Sequence, residues 1–365
     1  MKAAARHGGV SGLMAMPDTA SVMDNAAQIS SFMEFCRSDA LVDVIPSGCL
    51  TKGDGGEEHA SYDSLRAKGV RFITDGVRAP DNMLLLYRAM QYASNLNLTF
   101  ALRGDVPALT ARAAMHPGTT SYRLGLAGSP SCAEEIGLET IIRLSVDTGN
   151  SLHVQTVSTA GSADILRRCK PETTGLSAEV ALHHLLFTHE DVGCYDTNYK
   201  TLPPLRDRKD VDALIEAVND GTIDCIATDH APHSAEEKSR GLRSLNGIVG
   251  LECAFPVLYT ELVEPGIVPF ATLLNALCVN PRRLFRLPGG KIEAGEIADL
   301  TVLDLNWPHA IDSTLFFSQG RSTPFDGWTV TAGVDKTICN GNLVYTASSR
   351  NINKTPIPPC QEDYL

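Results

Sequence analysis

The strongest constraint on this chain is an alternation between two textures. Short apolar runs rich in β-branched residues recur at Gly12–Met16, Leu41–Pro46, Val70–Thr74, Leu98–Arg103, Leu152–Val157, Leu176–Leu182 and Ile223–Thr228. Runs of this length and composition read as buried strands. Between them lie amphipathic stretches at Ala20–Arg37, Asn82–Asn95, Cys132–Thr148 and Asp207–Asn219. In the last of these, Val211, Leu214, Ile215 and Val218 share one helical face. Strands joined by helices of this length pair in parallel. Seven of them in one series predict an α/β fold, a (β/α)8 TIM-type barrel with one strand unaccounted for.

The texture changes after residue 286. Pro288-Gly289-Gly290 opens a stretch of short β runs, and Asn340-Gly341 between two of them is a hairpin signal. The expected organisation is a barrel over 1–286, a small C-terminal β appendage over 287–347, and an irregular tail over 348–365.

Composition excludes several roles. A formal charge of −12 gives no electrostatic reason to bind nucleic acid or anionic lipid. No apolar run is long enough to cross a membrane. Ten scattered cysteines without a CxxC pair argue against a zinc ribbon or a secreted disulfide scaffold, so the expected compartment is cytoplasmic. Cys225 and Cys253 read as small core residues, and nothing near Cys132 or Cys194 argues for a reactive thiol.

In such barrels the working residues stand at the C-terminal strand ends. The polar residues expected there include Asp18, Asp75, Asp105, Thr156, His183-His184 and Asp229 to His233. An Asp with two His at one strand end could bind metal or move protons. The plainer expectations are that His153 is a satisfied core histidine, His183 and His184 pack, Arg206 braces a loop by pairing with an acid, and Glu57-Glu58-His59 is a solvated loop.

Several motifs in unbroken order resemble the dihydroorotases of the amidohydrolase superfamily. Gly8-Gly9-Val10 with Met16-Pro17-Asp18-Thr19 is similar to GGVT…MPNT. Leu152 to Thr159 is similar to LHIxHVST, Ala178 to Leu186 to EVTPHHLL, and Pro203-Pro204-Leu205-Arg206 to NPPLR. Asp220 to Asp224 with Thr228 to His233 matches DGTID…TDHAPH, and Gly247 to Glu252 matches GIxGLE. The resemblance implies a metal-dependent hydrolase barrel with a β appendage. It also implies reversible cyclisation of N-carbamoyl-aspartate to dihydroorotate over zinc, in pyrimidine synthesis.

The resemblance fails where the metal should be. The HxH pair belongs to a strand before the Gly8-Gly9 region, so the barrel is expected to lack its first strand. The bridging carboxylate position holds Thr74, the HxED histidine position Leu102, and the second His of LHIxHVST Thr156. None of these is a strong zinc ligand. Asp18 and Leu202 stand where substrate-binding Asn would be. Two readings follow. The first is a protein without zinc or other cofactor that resembles the inactive dihydroorotase-like partners of aspartate carbamoyltransferase and acts as its non-catalytic subunit. The second is an active dihydroorotase using zinc, in which Asp229 is catalytic and His233 and Gly247 bind substrate. An oligomer is expected, because the missing first strand would leave an open strand edge.

Overall fold

The structure, a computed structural model, describes residues 1–37, 42–111, 113–193 and 195–347. Leu41, Cys194 and the expected tail from Ser348 lie outside the described residues.

Parallel strands dominate. Strand β1 (Gly12–Ala15) pairs with β2 (Asp43–Pro46), and β3 (Gly48–Cys49) begins a six-stranded ladder with β4 (Phe72–Thr74), β5 (Thr99–Arg103), β6 (Ser151–Gln155), β7 (Leu176–Ala181) and β8 (Cys225–Ala227). Segments β2 and β3 are one strand interrupted at Ser47, whose amide and hydroxyl both donate to the Ala15 carbonyl, at 3.2 and 2.6 Å. The chain therefore changes partner there, from β1 to β4. Among the described residues the series runs from β1 to β8, one strand short of an eight-stranded ring.

Each expected strand forms, somewhat shortened. β6 stops at Gln155 because Thr156 takes φ +51°, and β8 is left behind before Asp229 at φ +44°. The first helix is Ala26–Arg37, not the whole of Ala20–Arg37, because the Asn25 side chain accepts from the Ala27 and Gln28 amides and caps it there. The helices Met83–Ala93, Ser131–Thr148, Ala160–Cys169 and Arg208–Asn219 form the outer layer. Their inner faces join the strands in one core, with Phe100, Leu138, Ile141, Leu166 and Leu214 buried.

Beyond the barrel come β9 (Leu300–Asp304), the short antiparallel pair β10 (His309–Ala310) and β11 (Thr329–Val330), and β12 (Gly333–Cys339) with β13 (Asn342–Thr346). Strands β9, β12 and β13 form an antiparallel sheet. Its hairpin turns at Asn340 and Gly341, both at positive φ, as a tight two-residue turn requires. The N-terminal helix Lys2–His7 is tied to this sheet, since Thr337 Oγ1 donates to the Arg6 carbonyl at 2.6 Å.

One buried network fixes the loop after β6. Glu134 accepts from the Ser158 and Thr159 amides at 2.9 and 3.1 Å and from the Ser158 hydroxyl. Arg206 closes it, 3.6 Å from Glu134 Oε2, donating to Ser158 Oγ at 3.0 Å and the Ser129 carbonyl at 2.6 Å. This is the acid that Arg206 was expected to find. Replacing Arg206 by Met leaves Glu134 buried without its cation, so Arg206→Met should lower the unfolding free energy by roughly 3–5 kcal/mol, read from urea unfolding curves.

Candidate functional site

The C-terminal strand ends converge on one mouth. At the end of β4, Thr74 Oγ1 donates to Gln155 Oε1 at 3.0 Å and accepts from the Gly76 amide at 3.1 Å. Gln155, last residue of β6, reaches on to Met16 Sδ at 3.6 Å. An amide side chain thus crosses the space between β4, β6 and the end of β1. Asp75 is committed elsewhere, accepting from the Thr51 amide at 2.9 Å and the Thr51 hydroxyl at 2.6 Å. Asp18 packs against Gly76, where an added Cβ would lie 3.1 Å from its carboxylate.

On β5, register decides which side chain enters the mouth. Arg103 pairs with Gln155 and Leu102 with Val154. Side chains alternate along a strand, so Arg103 shares the face of Gln155 while Leu102 turns to the apolar core. The Arg103 guanidinium lies 3.4 Å from Asp105 Oδ2 and 3.5 Å from the Leu202 carbonyl, and its Nε is buried without a partner. Burial lowers its pKa, opposed by the charges of Asp105, Glu134 and Asp229.

Lower in the barrel His153 is satisfied as a core histidine. Its Nε2 donates to Glu179 Oε2 at 3.2 Å, and its Nδ1 accepts from Ser177 Oγ at 2.8 Å. His183 and His184 are both buried in the short turn Leu182–Leu185 after β7. His184 Nε2 donates to the Pro203 carbonyl at 3.2 Å. Neither His183 nitrogen has a hydrogen-bond partner, and Nε2 stands 3.7 Å from Asp229 Oδ2. Burial and the neighbouring His184 hold His183 well below the usual imidazole range.

Asp229 is the carboxylate of this mouth. Its side chain keeps 31% of its surface open, yet burial, then the Glu179 charge, raise it to about 6 against the pull of Arg103. The residues after it follow a different course. His230 accepts from the Leu251 amide at 3.4 Å and lies 3.4 Å from Ser318 Oγ. His233 Nε2 donates to the Asn246 carbonyl at 2.9 Å on the rim. Gly247 faces it at φ +130°, where a Cβ would come within 2.4 Å of Ala231 Cβ. The structure therefore brings His233 and Gly247 together beside the mouth.

Zinc does not fit the side chains present. Among the described residues no three His, Cys, Asp or Glu converge closely enough to hold a metal ion. Thr74 and Thr156 stand at the strand ends, Leu102 faces away, and the Arg103 guanidinium adds a fixed positive charge. Sequence reasoning missed Arg103, Gln155 and Glu179. Counting strand parity from His153 would have placed Gln155 inward.

Residues 60–344 match the model of the amidohydrolase family. The chain is 39% identical over 343 residues to a dihydroorotase of Geobacillus sp. (strain WCH70), covering 94% of this chain and 80% of that relative. It is likewise 39% identical to a dihydroorotase of Anoxybacillus flavithermus, with the same coverage. Among solved structures it is similar to the L-hydantoinase (dihydropyrimidinase) of Arthrobacter aurescens. The TM-score is 0.83 at 20% identity, over 94% of this chain and 78% of the other. The dihydropyrimidinase of Brevibacillus agri NCHU1002 gives a TM-score of 0.79 at 18% identity with the same coverage. These two structures establish the barrel architecture.

Two substitutions test the mouth. A β-branched residue at φ +51° is strained, so Thr156→Asn should stabilise the protein by about 1 kcal/mol, seen as a higher melting temperature. Asp229 is raised in the folded state, so it favours folding fully only below its unfolded value of 3.8, and that contribution is lost as pH rises through about 6. Asp229→Asn should therefore melt close to wild type only near pH 3.5, gain on it as pH rises, and level off above about pH 6.5.

Proposed function

We propose a function from the premise that this chain belongs to the amidohydrolase family, as a dihydroorotase-like member. It serves pyrimidine biosynthesis in the cytoplasm without a catalytic zinc, as a non-catalytic subunit of aspartate carbamoyltransferase in an oligomeric assembly. One observation carries the non-catalytic half of this reading. The mouth is filled by a hydrogen-bonded Thr74–Gln155 pair and by Arg103, where a hydrolytic metal would need imidazoles and a bridging carboxylate. A lone Asp229 does not hold zinc against water. The partner rests on the family resemblance, and among the described residues no helix is long and apolar enough to cross a membrane.

A second reading has its own support. The relatives at 39% identity are named dihydroorotase, which favours a working enzyme on the cyclic amide. Asp229, raised to about 6, suits proton exchange near neutral pH. His233 and the close-packed Gly247 would then bind substrate. Neither residue restores the ligands that zinc requires.

Metal analysis of the purified protein separates the two. The non-catalytic reading expects less than one-tenth equivalent of zinc and no cyclisation of N-carbamoyl-aspartate, with or without added metal. It also expects co-purification with aspartate carbamoyltransferase, whose activity falls when this chain is withheld. Stoichiometric zinc with cyclisation abolished by EDTA would establish the enzyme instead.

A further inference from the structure

Three carboxylates stand in or beside the mouth. Asp229 and Glu179 act on each other inside it, and Asp105 stands at the end of β5. Carboxylates enclosed by protein need a cation or they take up protons. The groups facing Asp229 are Glu179 on β7, His183 in the turn after it, and Arg103 on β5. His183 is enclosed and neutral, so it supplies no charge.

Arg103 supplies it. Its side chain is 8% exposed, with Nη2 3.4 Å from Asp105 Oδ2, and its charge acts on Asp229 from across the mouth. Its Nε is buried and unpartnered. A guanidinium stays charged at any working pH. Such a group is not placed in a barrel interior for packing alone, since an uncompensated buried charge is strongly unfavourable. Arginine and carboxylates therefore hold one another in place.

We infer that Arg103 is the resident cation of this mouth, a guanidinium supplying the positive charge that a bound divalent metal would otherwise supply to its carboxylates. The inference deepens the non-catalytic reading and rests on it. A fixed cation beside Asp105 and acting on Asp229 repels a second one, so it offsets part of the negative charge and disfavours zinc. A metal can be stripped by a chelator, whereas this charge is part of the chain.

The test is a thermodynamic cycle read by thermal melting at pH 7, with zinc measured on every protein. Arg103→Met should lower the melting temperature by about 4–7 °C, the range expected when one partner of a buried ion pair is lost from a chain of this size. Arg103→Lys, which keeps the charge, should lose less than half of that. Asp229→Asn should be more favourable in the Arg103→Met background than in wild type, and EDTA should leave the wild type unmoved. If Arg103→Met yields no folded protein, Arg103→Lys decides: melting within a few degrees of wild type supports the inference, and failure to fold overturns it. A zinc-free wild type whose Met and Lys variants melt alike, without coupling to Asp229, overturns this inference alone. Stoichiometric zinc in the wild type overturns the inference and the non-catalytic reading together.

Discussion

Charge inside a parallel barrel has to be answered from inside the barrel. The strands here present inward a succession of polar groups that water cannot fully reach, and several are met by side chains from the same, adjoining or more distant strands. His153 bridges Ser177 and Glu179, Thr74 meets Gln155, and Arg103 faces Asp105 and Asp229. The ladder register makes these meetings possible, because Arg103 opposite Gln155 and His153 opposite Ser177 place their side chains on one face. A one-residue slip of β5 would turn Arg103 into the helix layer and bring Leu102 inward. The barrel's interior chemistry thus depends on strand pairing to single-residue accuracy.

That dependence explains what could be read from the sequence and what could not. The alternation of apolar runs and amphipathic stretches was enough to place seven strands, since burial between sheet and helix layer dictates the composition of both. Gly48–Cys49 escaped because two residues carry no periodicity, and its strand character comes from pairing with Ile73 and Thr74. The ends of β6 and β8 escaped for another reason. Thr156 and Asp229 leave the extended region at positive φ, a conformation that neither residue type announces. At the mouth, sequence reasoning weighed Leu102 because motif alignment pointed to it. Which of two adjacent residues faces the axis is settled by parity, and parity gave the position to Arg103. Glu179 was invisible in the same way, being one charged residue in an apolar run until the structure set it beside His153 and Asp229.

The backbone of the mouth and its side chains tell different stories. Thr156 sits in a conformation that suits Gly, Asn, Asp or His better than a β-branched residue. Asp229 shares that conformation, and an aspartate accepts it at little cost. A strand end bent this way aims a short polar side chain across the axis. At residue 229 the side chain still matches the bend. At residue 156 it does not, and the scaffold bears the strain.

The segment Thr228 to His233 matches its family motif without change, which invites a catalytic reading, but His230 and Ala231 within it make structural contacts. His230 pairs in parallel with Ile248, and the Ala231 amide donates to the Ile248 carbonyl at 2.9 Å. The His230 ring lies between the Leu251 amide and Ser318 Oγ, each at 3.4 Å. Ser318 in turn donates to Glu252 at 2.5 Å, and Glu252 also accepts from the Phe317 amide and from His7. The motif is therefore a clasp joining the end of β8 to the 248–252 loop, the 317–318 loop and the N-terminal helix. Replacing His230 would remove the ring's contacts to the Leu251 amide and to Ser318 whether or not any reaction occurs nearby. An intact TDHAPH motif consequently reports on the closure of this barrel, and the state of the site has to be read from Thr74, Arg103 and Thr156.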